Sequence, residues 1–303
     1  MRVKSYQRVF LYLLSVLLLT AILSPWAAAL WDLILSARPE WQEYRYPFSR
    51  IFSRLYMVLA IVLFFPSRRL LKIGSMSQLG LQPLRQGYRD LLIGFSLALA
   101  SVIALVLAMS LSEVFTPYFR LSLSVGLERS FKALLTALTV GFLEEIFFRG
   151  IIFKGLLEDW RPMASFVAAS LFYSAIHFVK PAKEISLAGL DPWAGRHQLI
   201  YSFQPFLDPI ALFPGLSGLF IIGIVLSYAF LRTSSLYLSI GLHAGWIFAI
   251  KSIRVYGDFR REDLGWIFGS SNPKIVSGVA TWIGILAVGV IVHWMTRKRK
   301  GLK

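Results

Sequence analysis

Residues 140–149 read Val-Gly-Phe-Leu-Glu-Glu-Ile-Phe-Phe-Arg, which places two adjacent carboxylates and a guanidinium at the end of an apolar run. A charged group at the centre of a membrane helix costs about 2.5–3.5 kcal/mol on insertion scales, so these residues need a partner or a function. On an α-helix, Glu145 and Arg149 lie four residues apart and can form an ion pair, whereas Glu144 points about 100° away. The pattern leaves Glu144 available as a general base, and a pair of interfacial carboxylates held by Arg149 and water stays open as the structural alternative.

The rest of the chain is a series of similar apolar runs. Of the 303 residues, 56% are hydrophobic, including 24 Phe and 9 Trp, which is too apolar for a soluble domain. A bilayer requires runs of ~20 residues, and such runs occur at about 9–30, 50–66, 91–112, 131–148, 162–179, 215–231, 236–252 and 275–295. We therefore predict an all-α, polytopic integral membrane protein with about eight transmembrane helices and an active site inside the helix bundle.

Charge and cysteine content narrow the class of protein further. The net charge is +16, but Lys and Arg form short clusters between the apolar runs, as expected beside lipid headgroups and not for a nucleic-acid-binding face. The clusters at 68–69 and 297–300 favour a multi-pass protein of the plasma membrane, of the bacterial inner-membrane type, with both termini cytoplasmic. We interpret the first run as an uncleaved span, with a cleaved signal peptide as the alternative. The absence of Cys excludes a disulfide framework and a thiolate nucleophile.

Two histidines are expected at the depth of the carboxylates. The helix that carries Glu144 should turn at residues 158–162 and return with His177, and the two residues are each about 15 positions from that turn. A third helix should start after the turn at 232–235 and place His243 roughly 10–12 Å into the bilayer, at 1.5 Å per residue. A single His near a span end is more often an interfacial or hydrogen-bonded core residue. Ionisable residues at matched depth instead predict a shared, water-accessible pocket.

These three stretches together resemble the type II CAAX prenyl endopeptidase family, also called CPBP intramembrane proteases. The family motifs EExxxR, aromatic-xxx-His and HxxxN correspond here to Glu144-Glu145-Ile-Phe-Phe-Arg149, Tyr173-Ser-Ala-Ile-His177 and His243-Ala-Gly-Trp-Ile247. The resemblance covers about residues 130–250. It implies one membrane domain, 1–303, with a catalytic core at 130–250 and three accessory spans within 1–129.

The resemblance also implies roles for the residues. Glu144 would activate water for attack on a peptide carbonyl, and Glu145 with Arg149 would orient the helix. His177 would hold the water, and His243 would stabilise the oxyanion. The implied substrate is a membrane-associated protein or peptide within or beside the lipid bilayer, and the implied activity is that of a glutamic or metallo-endopeptidase.

Two points of the chemistry stay open. Ile247 replaces the family Asn, so an oxyanion donor is missing, which leaves His243 alone, a nearby donor such as Trp246, or an altered activity. None of the His residues is followed by Glu, so the HExxH zinc motif is absent. We expect no tightly bound cofactor, while Glu144, His177 and His243 could still ligate a zinc ion.

Two other functions remain as alternatives. The substitution at Ile247 fits a non-catalytic membrane scaffold or immunity-type protein of the same fold. The buried carboxylates also fit a proton-coupled transporter, although transporters commonly contain repeated halves and the sequence has no matching halves. The sequence does not identify the substrate, nor whether it is prenylated, nor the oligomeric state.

Overall fold

A computed structural model describes residues 4–183, 185, 189–261, 263–269, 275–299 and 301, and these residues are almost entirely helical. The α-helices, in chain order, are α1 (Ser5–Ala37), α2 (Phe48–Ser67), α3 (Leu84–Leu111), α4 (Leu123–Glu145), α5 (Lys154–Asp159), α6 (Pro162–Ile176), α7 (Ala194–Tyr201), α8 (Pro209–Thr233), α9 (Tyr237–Ile253), α10 (Gly265–Phe268) and α11 (Val279–Thr296). A π-helix, Ile146–Phe153, joins α4 to α5. Short 3₁₀ turns occur at Pro39–Tyr44, Met76–Leu79, Gln204–Leu207 and Ile275–Ser277.

Two short strands, β1 (Phe115–Pro117) and β2 (Gly257–Phe259), pair antiparallel, with Phe115 opposite Phe259. This ribbon joins the loops that follow α3 and α9.

The structure confirms the predicted class, an all-α polytopic membrane protein. Within the described residues, five helical stretches are long and apolar enough to cross a membrane: Ser5–Ala37, Phe48–Ser67, Met76–Leu111, Pro209–Thr233 and Val279–Thr296. The other three predicted spans also lie in helices, but α6 has 15 residues and α9 has 17. In α4 the apolar stretch is interrupted by charged residues near both ends. The helices that carry the polar site residues are therefore shorter or more charged than ordinary spans.

The chain forms two compact units, one comprising residues up to 74 together with 175–212, and the other comprising 75–174 together with 213 to the end. In the first unit α1 packs against α2 and α7 around Ala28, Phe48, Phe52 and Ala194. Helix α7 approaches α1 so closely that a Cβ atom on Gly195 would lie 1.9 Å from the carbonyl oxygen of Ala21. Small residues thus set the packing distance in this unit, as is common between membrane helices.

The second unit is built around α9, which packs between α3 and α4. A Cβ atom on Gly241 would lie 2.1 Å from the carbonyl oxygen of Leu91, and one on Gly94 would lie 2.4 Å from that of Leu238. Because glycine lets the two backbones approach this closely, residues 237–246 of α9 are all buried. Helix α3, which the sequence analysis grouped with the accessory spans, therefore packs directly on α9.

A second close contact positions the functional residues. Gly141 of α4 packs on Ala244 of α9, and a Cβ atom on Gly141 would lie 3.1 Å from the backbone nitrogen of Ala244. Gly141 is one helical turn before Glu145, and Ala244 directly follows His243. The contact between these two small residues therefore brings the end of α4 against the polar residue of α9.

An apolar core closes the side of the unit beyond this contact. Its buried residues come from the π-helix, α6, α8 and α9, and they are Phe153, Ala169, Phe230, Leu236 and Ile240. The core holds α6 and α8 beside α9, so that polar side chains of α6 can also face the centre of the unit.

Candidate active site

Glu144 and Glu145 end α4 and differ sharply in burial. The side chain of Glu145 is fully buried, whereas that of Glu144 is 30% exposed. They are consecutive residues on a helix, so they face different directions, as the sequence predicts. Of the two carboxylates, Glu144 is the more exposed.

Arg149 neutralises the buried carboxylate. Its side chain is 1% exposed, and Nη1 donates a hydrogen bond to Oε1 of Glu145 at 2.7 Å. Nη2 donates to the carbonyl oxygen of Gly223 on α8 at 3.3 Å. The predicted ion pair between Glu145 and Arg149 is thus present, and Arg149 also ties the π-helix to α8.

The π-helix begins directly after Glu145 and contains Arg149. Such helices are rare, appear mostly as single-turn insertions in α-helices, and are frequent at functional sites. The sequence predicted one continuous helix to about residue 157, so this local widening is a feature that helical periodicity did not reveal. Residues 148–153 are all buried, which fixes the segment of chain that holds the guanidinium.

His243 is the third member of the cluster. Nδ1 lies 2.8 Å from Oε1 of Glu145, and since an ionised carboxylate only accepts hydrogen bonds, Nδ1 carries the proton and donates it. The opposite ring nitrogen, Nε2, faces Oε2 of Glu144 at 3.7 Å. Glu145 therefore fixes the orientation of the imidazole as well as binding Arg149, a second task that the sequence analysis did not assign to it.

Tyr173 on α6 completes the polar cluster. Its hydroxyl lies 3.3 Å from Nε2 of His243. The Cζ atom of Arg149 lies over the Tyr173 ring, 4.5 Å from the ring centroid. The rings of Phe148 and Tyr173 pack in a T-shaped arrangement, with their centroids 4.9 Å apart. In the sequence motif, Tyr173 is only the aromatic position. Its hydroxyl, in place of a plain phenyl ring, was the signal of a polar role.

Residue His177 lies in the turn after α6 and is half-buried. It belongs to the compact unit formed by residues up to 74 and 175–212, whereas Glu144, Glu145, Arg149 and His243 belong to the other. The structure thus brings four of the five predicted residues together within one unit. The role of His177 stays a prediction.

Trp246 and Ile247 are the positions near His243 that could matter for an oxyanion donor. Trp246 is buried, and its indole Nε1 donates to Oγ of Ser101 on α3 at 3.1 Å. Its N–H is therefore engaged with another helix. Ile247 is half-buried on α9, four residues after His243, and offers only hydrocarbon there.

A zinc ion needs more donors than this cluster supplies. Catalytic zinc sites use three protein ligands and an open position. Among the residues that the structure describes, no three His, Asp or Glu side chains form a group suited to a metal ion. Within the second unit, Oε2 of Glu144 and Nε2 of His243 face each other, but Nδ1 of His243 and Oε1 of Glu145 are bonded to one another. These donors of the second unit alone do not supply three zinc ligands, and a zinc site of Glu144, His177 and His243 stays a prediction.

Comparison with known proteins gives one match. Residues 126–249 match the family model described as "Rce1-like: Type II CAAX prenyl endopeptidase Rce1-like". The matched range begins in α4 and ends in α9, so it contains every residue of the cluster. The resemblance inferred from the three motifs is therefore confirmed. None of the curated proteins and none of the solved structures compared with the chain matches it.

Proposed function

We propose that this protein is an intramembrane endopeptidase that hydrolyses a peptide bond of a membrane-associated protein or peptide, with Glu144 as the general base. The match of residues 126–249 to the Rce1-like type II CAAX prenyl endopeptidase model supports this class of enzyme. The observation that carries the proposal is the position of Glu144. It is partly exposed and lies 3.7 Å from Nε2 of His243, whose Nδ1 is bonded to Glu145, and Arg149 in turn pairs with Glu145.

The two carboxylates have environments suited to different tasks. Glu145 is fully buried and its Oε1 binds both Arg149 and His243, so it serves as a fixed anion that orients its neighbours. Glu144 is partly exposed, and in the proposed role this exposed part contacts the water that a general base must reach. Two carboxylates in contrasting environments are a recurrent way to divide such roles.

In the proposed reaction, Glu144 takes a proton from water while the water oxygen bonds to the peptide carbonyl carbon. The resulting tetrahedral intermediate collapses, the C–N bond breaks, and the proton on Glu144 passes to the leaving nitrogen. The membrane setting strengthens each polar contact, because charges interact more strongly where the dielectric is low. We retain His177 as an assisting imidazole that holds the water.

The substrate must present an extended backbone at the site, since a peptide bond inside a helix has its carbonyl engaged. A tail that lies at the lipid surface meets this condition. We further propose that the protein lies in a plasma membrane with both termini cytoplasmic, because Arg297, Lys298 and Arg299 directly follow α11 and Arg68 and Arg69 directly follow α2.

The test is the Glu144→Gln substitution, which keeps the size of the side chain and removes the base. Protein reconstituted in liposomes is assayed with a farnesylated fluorogenic CAAX peptide, and membranes of cells that express the variant are searched for proteins that accumulate uncut. We expect loss of cleavage with an unchanged gel-filtration profile. Glu128→Gln is the matched control, because Glu128 is an exposed carboxylate of the same helix that pairs with Lys132. Cleavage by Glu144→Gln at the wild-type rate would falsify the proposal.

A further inference from the structure

The hydroxyl of Tyr173 occupies the same corner of the site as the general base. It lies 3.3 Å from Nε2 of His243, and the same nitrogen faces Oε2 of Glu144 at 3.7 Å. The ring itself is fixed, since it is 2% exposed and held between the guanidinium of Arg149 and the ring of Phe148. The position of this hydroxyl is therefore set by packing and not by solvent.

Hydrolysis of a peptide needs a hydrogen-bond donor at this corner. Negative charge develops on the carbonyl oxygen as water attacks, and enzymes stabilise it with donors that are already in place. A neutral His243 cannot be that donor, because its proton is on Nδ1 and points to Glu145. Trp246 donates to Ser101, and Ile247 has no donor.

A tyrosine hydroxyl can accept one hydrogen bond and donate another. We propose that the hydroxyl of Tyr173 is the oxyanion donor of this protein and thereby supplies the hydrogen bond that a side-chain amide at position 247 would otherwise give. The inference rests on the proposed function and adds a catalytic residue to it. In the resting site the O–H group donates to Nε2 of His243, and during the reaction it turns to the carbonyl oxygen.

The step balances without any further reactant. Glu144 receives one proton from water, the hydroxide oxygen bonds to the carbonyl carbon, and the π electrons of the C=O bond move to the carbonyl oxygen. Tyr173 donates a hydrogen bond to that oxygen and keeps its proton. When the double bond re-forms, the C–N bond breaks and the proton on Glu144 goes to the leaving nitrogen.

The experiment compares Tyr173→Phe with the double variant Tyr173→Phe/Ile247→Asn, using the farnesylated fluorogenic CAAX peptide in liposomes. Loss of one oxyanion donor lowers kcat by about 100-fold or more, and we expect this for Tyr173→Phe with KM little changed. Residue 247 is four positions after His243 on the same helix face, so an Asn there restores a donor and regains part of the lost rate.

Three outcomes are informative. If Glu144→Gln cleaves the peptide as well as the wild type does, the proposed function fails. If these two behave as expected but Tyr173→Phe keeps the wild-type kcat, only the role of Tyr173 is overturned. If the double variant is no faster than Tyr173→Phe, the hydroxyl acts by some means other than donation, and the inference is likewise overturned.

Folding is controlled separately. Rates are expressed per molecule in the monodisperse gel-filtration peak. Should Tyr173→Phe not fold, 3-fluorotyrosine at position 173 keeps both ring and hydroxyl but lets the hydroxyl ionise at lower pH. Since a phenolate cannot donate, the alkaline fall in kcat should then move to lower pH. If kcat falls at the same alkaline pH as in the wild type, the donor role of Tyr173 is ruled out.

Discussion

Replacing Arg149 by Leu should destabilise the protein severely, because it leaves the carboxylate of Glu145 buried without its cation. Both side chains are essentially inaccessible, and the contact between Nη1 and Oε1 is 2.7 Å. Removing one partner of a buried ion pair typically costs 3–5 kcal/mol. The substitution also removes the hydrogen bond to the carbonyl of Gly223 and the cation–π contact with Tyr173. We therefore expect a loss of about 3–5 kcal/mol in the free energy of unfolding.

The double variant Glu145→Gln/Arg149→Leu separates charge from packing. It removes both charges, and the Gln side chain can still accept the proton of Nδ1 of His243. Replacing a whole buried pair by neutral residues is often close to neutral, so the double variant should recover most of the stability lost by Arg149→Leu. Cleavage should stay low, since a neutral amide holds the imidazole less strongly than a carboxylate does.

Unfolding in mixed micelles of increasing SDS content measures these differences, with Trp fluorescence as the signal because the chain has 9 Trp residues. Lys132→Leu is the matched control, since Lys132 forms an exposed pair with Glu128 on α4 and should change stability little. The reasoning is refuted if Arg149→Leu unfolds at the same SDS content as the wild type. It is also refuted if the double variant is no more stable than the single one.

The remaining predictions concern packing and metal. Gly241→Ala should lower the free energy of unfolding by about 1–3 kcal/mol or more, because its Cβ atom would lie 2.1 Å from the carbonyl oxygen of Leu91. Gly284→Ala is the control: a Cβ atom there would meet no neighbouring atom within 4 Å, so the variant should be as stable as the wild type in the same SDS titration. Equal stability of the two variants would contradict the close approach of α3 and α9. Cleavage of the fluorogenic peptide should survive dialysis against phenanthroline, because the described donors do not form a three-ligand zinc site. A loss of activity that added zinc reverses would instead establish a metal enzyme.

Local periodicity accounts for the parts of the site that the sequence predicted well. Glu145 and Arg149 are four residues apart on one helix, so their pairing depends on helical geometry alone. The expectation that His243 lies near Glu144 depended on counting residues from two turns, and it agrees with the separation of 3.7 Å between Nε2 and Oε2. Both inferences needed only the rise per residue and the positions of the turns.

The missed features depend on contacts between helices. Nothing in the motif spacing indicates that His243 binds Glu145, because that contact follows from the packing of Gly141 on Ala244. The π-helix is equally hidden, since its residues are as apolar as those of an ordinary buried helix. The hydroxyl of Tyr173 reaches the site only because α6 is held beside α9 by the apolar core. Sequence periodicity describes each helix separately and does not specify these approaches.

The charges of the cluster explain why one carboxylate is suited to take up a proton. With His243 neutral, Glu144 and Glu145 carry two negative charges, and Arg149 neutralises the one on Glu145 through its direct ion pair. The remaining negative charge is on Glu144, beside a buried imidazole and a buried phenol. Proton transfer from water to Glu144 removes this charge from the carboxylate, and the new negative charge forms on the substrate oxygen. In the proposed mechanism the total charge of the site is therefore constant. One negative charge moves from the Glu144 carboxylate to the substrate oxygen, and the hydroxyl of Tyr173 favours this transfer by donating a hydrogen bond to that oxygen.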